Sequence, residues 1–138
     1  MKRPNLNDSY YTHLYNMKTQ VVYFDNIKKE ITYLIGENAA DNFVVIDASD
    51  NPQTDMWFHS KEGSSCHVVA KISSQPRLNK KELMTICKKG GLLCKLNTPK
   101  LKKQSNVEII YTKIGNITKT NIDGLVHTND TNTKTLIC

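Results

Sequence analysis

The sequence predicts an α+β domain: a mostly antiparallel β-sheet with one main helix, over about residues 79–95, packed on it. Three observations carry this. Short β-branched and aromatic runs separated by turn residues recur at 21–24, 31–35, 56–59, 66–72, 107–111 and 134–137, as expected of hairpin-connected strands. Only one stretch shows a clear helical period: Asn79 offers an N-cap with Glu82 three residues on, and Leu83, Ile86, Cys87, Gly90 and Cys94 then share one face. Finally, 138 residues suffice for one domain whose core needs neither disulfide nor metal.

In chain order, residues 1–20 are polar, rich in Asn and Tyr and without periodicity, and read as an N-terminal arm before a single domain over 21–138. The runs 21–24 and 31–35, joined through Asp25-Asn26, make a hairpin ending at Gly36. Residues 37–50 are ambiguous: Ala39, Ala40, Asp41 and Asn42 resemble a helix start, yet Phe43-Val44-Val45-Ile46 has strand content, and local propensity favours strand. A turn at Asp50-Asn51-Pro52 leads into the stretch 55–72, which holds the only Trp and two of the four His. By period-two alternation Trp57 and His59 share one face of the first strand, and Cys66, Val68 and Ala70 one face of the second. The Gly63-Ser64-Ser65 turn between them predicts antiparallel pairing, with His59 and His67 brought together.

After a loop around Pro76 comes the helix, with Lys81, Lys88 and Lys95 spaced seven apart on the side opposite its apolar face. The Gly90-Gly91 pair is expected to end or kink it, since each Gly costs about 1 kcal/mol relative to Ala. Residues 97–105, with Pro99 and three lysines, read as an exposed basic loop. Strands follow at 107–111 and 134–137, with a candidate at 114–120 around Gly115-Asn116.

Net charge is +6, unevenly spread: between Lys71 and Lys103 ten basic residues face one acid, while the remainder is net −3. Such segregation is the footprint of a polyanion-binding face, against the plainer reading of a solvated lysine-rich surface. Residues 1–20 hold no continuous apolar run and nothing in the chain approaches the ~18 apolar residues of a membrane span, so the expectation is a soluble, cytoplasmic protein without membrane partners. The four cysteines, at 66, 87, 94 and 138, read as free thiols, buried except for an exposed Cys138.

No catalytic or metal constellation is evident, and no cofactor motif. His59 and His67 lack a set of carboxylates or thiolates at metal-ligand spacing. Ser64 and Ser65 lie near His67, but no nucleophile elbow is present, and turn residues satisfying their own backbone account for them. Lys88-Lys89-Gly90-Gly91 does not match a phosphate loop. Trp57 in a strand reads as a core aromatic, with base stacking as the functional alternative.

Residues 55–59, Asp-Met-Trp-Phe-His, followed by a Ser64-Ser65 turn and the Cys66-His67-Val68 run, resemble the central pattern of the NFACT RNA-binding domain family, here in standalone form. Ile35-Gly36, Asn42, the helix from Asn79, the run 107–120, Gly124-Leu125-Val126-His127 and Lys134-Thr135-Leu136-Ile137 add to the resemblance, which spans about residues 32–137. It implies a second, short helix near 40–48, against local propensity. It further implies a non-enzymatic nucleic-acid-binding module, with RNA (tRNA or ribosomal RNA) as partner and DNA as a second, in a translation or ribosome quality-control setting. The sequence holds neither the N-terminal domain nor the long coiled coil of full NFACT proteins, so their rescue and tail-elongation activities are not implied as a whole. The candidate nucleic-acid-binding set is Trp57, His59, Ser65, His67, Lys81, Lys88, Lys95, Lys100, Lys102, Lys103, Lys113 and Lys119. Two other readings stand beside this one: a small hydrolase using His59 and His67, and a protein-interaction module on the ribosome.

Overall fold

The computed structural model describes residues 17–75 and 77–138. Its elements are β1 (Lys18–Phe24), β2 (Lys29–Gly36), α1 (Ala39–Asp47), β3 (Met56–Ser60), β4 (His67–Lys71), α2 (Lys80–Leu96), β5 (Glu108–Lys113), β6 (Ile117–Lys119), β7 (Val126–Thr128) and β8 (Lys134–Ile137). Six strands form one sheet in the order β1-β2-β4-β3-β5-β8, with every neighbouring pair antiparallel, and β6 and β7 form a separate two-stranded sheet. The α+β architecture expected from the sequence is what the chain adopts. Of the polar arm 1–20, residues 1–16 lie outside the described part and Lys18 to Gln20 already belong to β1.

Alternation along the strands builds two cores. Tyr33, Phe58, Val68, Ile109 and Tyr111 point to one face, where α2 covers them with Ile86, Leu93 and Cys94. Leu34, Trp57 and Val69 point to the other, where Val45 and Ile46 of α1 join Ile114. Helix α1 overturns local propensity, because β2 and β4 leave an apolar surface that a helix covers and an extra strand at this point of the chain does not. Asn38 caps it, accepting from the Asp41 amide at 2.9 Å. Gly36 makes the close approach possible: a Cβ there would sit 2.7 Å from Asn42 Oδ1, the atom that accepts the His67 backbone N–H at 3.0 Å.

Helix α2 opens with the predicted capping box between Asn79 and Glu82. It does not end at Gly90-Gly91 but runs on to Leu96. The glycines serve packing: a Cβ on Gly90 would lie 2.4 Å from Phe58 Cζ, and one on Gly91 2.9 Å from Cys138 Sγ. The Tyr33 hydroxyl, buried on the same face, donates to the Ile86 carbonyl at 2.8 Å.

Three other expectations are corrected. The segment 97–105 is not wholly exposed: Leu101 enters the core, and the buried Thr98 accepts the Cys66 N–H at 3.1 Å while donating to the Cys94 carbonyl at 2.8 Å. The candidate strand at 114–120 is present but shorter, as β6 over Ile117–Lys119 paired with β7, because the Ile114 and Gly115 amides bond to the Asp55 and Pro52 carbonyls at 3.0 and 2.9 Å and turn the chain away from the main sheet. Cys138 is half-buried rather than exposed, its backbone paired in both directions with Val107. All four cysteines are free thiols.

Asp55 fixes the start of β3. Its carboxylate is fully buried and accepts from the Ser49 hydroxyl at 2.7 Å and from the amides of Asp50, Asn51, Ile72 and Ser73. Burial alone would raise its pKa, but the bonds from Ser49, Ser73, Asn51 and Ile72 outweigh it and hold the carboxyl below the usual range. Among the described residues, no helix is long and apolar enough to cross a membrane.

Candidate nucleic-acid interface

At one end of the sheet the β3–β4 turn, the N-terminus of α1, the chain leaving α2 and the β6–β7 turn enclose a pocket of about 790 Å³. That volume falls in the roughly 300–1,000 Å³ range of small-ligand sites. His59 lines it from the end of β3, Lys61, Ser64 and Ser65 from the turn and Lys100 from the chain after α2, with Glu37 and Asp123 also on its wall. The β3–β4 register places His59 and His67 side by side, as the sequence predicts: the ladder runs Met56↔Ala70, Trp57↔Val69, Phe58↔Val68, and the two imidazoles follow with ring centroids 4.7 Å apart.

The two rings do different things. His67 is buried to 1% exposure, and its Nδ1 accepts from Trp57 Nε1 at 3.0 Å. An indole N–H only donates, so the proton of His67 is on Nε2, where the Gly124 backbone accepts it. Burial, with His59 adding to it, pushes His67 down to about 3 against the opposing pull of Gly124. His67 is therefore neutral and buried, so the structure places this member of the sequence-derived set inside the fold, with both ring nitrogens engaged there. His59 is only partly buried, its ring stacked on Trp57 at 5.5 Å and 5°, and its Nδ1 lies 2.7 Å from the Ser60 carbonyl oxygen. Burial and the nearby Lys100 lower its pKa, opposed by the Ser60 bond.

Trp57 lines the pocket floor but is 1% exposed beneath His59, so the core reading holds and its ring is not an open base-stacking platform. Ser65 lines the pocket with its hydroxyl already engaged: it accepts the Ser60 N–H and donates to the Cys66 carbonyl, both at 2.9 Å.

The lysines divide. Lys100 lines the pocket, its Nζ 3.3 Å from Ser64 Oγ, and Lys102 and Lys103 are exposed on the same turn. Lys81 and Lys88 are exposed on α2, on the layer across the sheet from the pocket, so they do not join the His59 site. Lys95 is half-buried and donates to the Cys138 carbonyl at 3.3 Å. Lys113 ends β5 opposite Met56, at the far end of β3 from His59. Lys119 pairs with Asp47 at 2.5 Å and lies over the Phe43 ring. Lys61 and Ser64 were absent from the sequence-derived set; their place in the turn between the two histidines is the signal that could have found them.

Fold and site together define a small α+β domain with a partly basic pocket at one end of an antiparallel sheet. The sequence matches the NFACT protein RNA binding domain over residues 20–129, and the chain belongs to that family. Its fold is similar to that of a solved structure, the C-terminal of the fibronectin/fibrinogen-binding protein from Streptococcus suis, with a TM-score of 0.63 and 21% identity. That comparison covers 85% of this chain and 43% of the other, so the match spans less than half of the solved chain it resembles. Comparison with curated proteins gave no match.

Proposed function

We propose that this domain binds RNA of the translation machinery, tRNA or ribosomal RNA, in the cytoplasm and without chemical turnover. The observation that carries the proposal is the convergence of Lys61, Lys100 and His59 on one pocket, with Lys102 and Lys103 beside it, in a member of an RNA-binding domain family. Lysine cations neutralise phosphates and hold the strand in place, and the pocket receives what the strand presents. The engagement of both His67 nitrogens and of the Ser65 hydroxyl supports a binding role, since neither is free to act as base or nucleophile.

The test is a salt titration of binding to single-stranded RNA, duplex RNA, tRNA and single-stranded DNA. Four lysine contacts give a log-log slope of about −3 for single strands, at roughly 0.7 per contact. Replacing Lys100, Lys102 and Lys103 together by Ala is expected to weaken binding and flatten the slope by about two units. Unchanged affinity and slope in that variant would remove the assignment of phosphates to this turn.

A further inference from the structure

The tautomer of His59 goes one step beyond general RNA binding. A carbonyl oxygen only accepts, so the 2.7 Å contact with Ser60 places the proton of neutral His59 on Nδ1 and leaves Nε2 a lone-pair acceptor. Among the described residues every buried side-chain nitrogen or oxygen has a partner, whereas Nε2 of His59 has none among them and is therefore open to the pocket that His59 lines. The ring cannot readily turn away, being stacked on Trp57, set edge-on to His67 and tied to its own strand. Burial and the Lys100 cation both disfavour a second proton on it.

A fixed neutral acceptor does not suit a phosphodiester, whose oxygens also accept. It suits a donor lying beside a phosphate that the lysines hold. Base amino groups come and go with sequence, while the ribose 2′-hydroxyl is present at every RNA nucleotide and absent from DNA. We propose that His59 Nε2 accepts a hydrogen bond from a ribose 2′-hydroxyl, so that this pocket selects RNA over DNA while Lys61 and Lys100 hold the adjoining phosphate. This rests on the RNA-binding reading above.

The experiment compares one single-stranded sequence made as RNA, as 2′-fluoro RNA and as DNA. The fluoro analogue keeps the ribose shape and loses the donor. On the wild-type protein RNA is expected to bind about fivefold more tightly than its 2′-fluoro counterpart, the usual worth of one hydrogen bond. In His59→Phe, which keeps a ring over Trp57 but has no acceptor, the two are expected to bind alike, at the wild-type level for the fluoro strand. His59→Gln, which restores an acceptor, is expected to recover part of the gap. Equal binding of RNA and 2′-fluoro RNA by wild-type protein, a comparison that needs no variant, would overturn the inference, as would a gap that survives in His59→Phe. If those strands nevertheless bind with the expected salt slope, only the role of His59 fails; if no strand binds at all, the RNA-binding reading fails with it.

Discussion

At the scale of single residues, His59 and His67 show what a sequence conveys and what it leaves to the fold. Strand alternation and the short Gly63-Ser64-Ser65 turn were enough to place the two rings together. Their opposite roles were not legible, because each tautomer is set by partners that only the tertiary structure supplies: the Trp57 indole and the Gly124 backbone for His67, the Ser60 carbonyl for His59. The burial of His67 has a consequence for stability. Its folded pKa is lowered to about 3, well under the ordinary value of 6.5, so between these values the unfolded chain takes up a proton that the folded chain refuses. Stability from this group is therefore complete above about pH 6.5 and falls as the solution is acidified towards pH 3, with a loss of about 2 kcal/mol at pH 5. The lowered pKa of His59 acts in the same direction. Denaturant melts at pH 7.5 and 5.0 check this. In His67→Asn, which keeps an acceptor for Trp57 without a titrating ring, the difference between the two pH values is expected to shrink by most of that amount.

At the scale of elements, the strands and α2 were readable because each carries its own period and its own cap. Two features were not. Helix α1 contains Phe43-Val44-Val45-Ile46, whose β-branched content favours strand, and what decides its state is the apolar surface of β2 and β4 that it covers; family resemblance rather than propensity indicated it. Gly90-Gly91 looked like a helix break because propensity counts only the backbone cost, whereas the structure uses the absent side chain to seat α2 against the Phe58 ring. Gly90→Ala therefore sets two terms against each other. Helix propensity favours Ala by about 1 kcal/mol, while a Cβ pressed into a buried ring costs roughly 1–3 kcal/mol in displaced packing. With the ring atom at 2.4 Å and Phe58 fully buried, overpacking is expected to win, and the variant to melt lower than wild type by a few degrees. A higher melting temperature would show that Phe58 can shift without loss.

At the scale of the whole molecule, charge segregation in sequence did not translate into one continuous surface. The segment from Lys71 to Lys103 holds the excess positive charge, but the sheet divides it: Lys81 and Lys88 face solvent on the α2 layer, while Lys100 crosses to the pocket on the turn after α2. Helical spacing showed that Lys81, Lys88 and Lys95 share a stripe, and it said nothing of which side of the sheet that stripe would occupy. The pocket's own cations come instead from turns, where no periodicity announces them. This separation makes the two groups of lysines distinguishable by experiment. Exposed charges more than about a Debye length apart, roughly 8 Å at physiological salt, are largely screened from one another, so charges on the outer face of α2 contribute little to a strand held at the pocket. Lys81→Ala with Lys88→Ala is therefore expected to leave the salt slope for a short single-stranded RNA within a few tenths of wild type, where removal of Lys100, Lys102 and Lys103 flattens it by about two units. A short oligonucleotide is the right probe, because a longer or folded RNA can wrap the edge of the domain and reach α2. If the helix variant flattens the slope for the short strand by as much as the turn variant does, the strand runs over α2 rather than into the pocket, and the site would move to the other layer of the sheet.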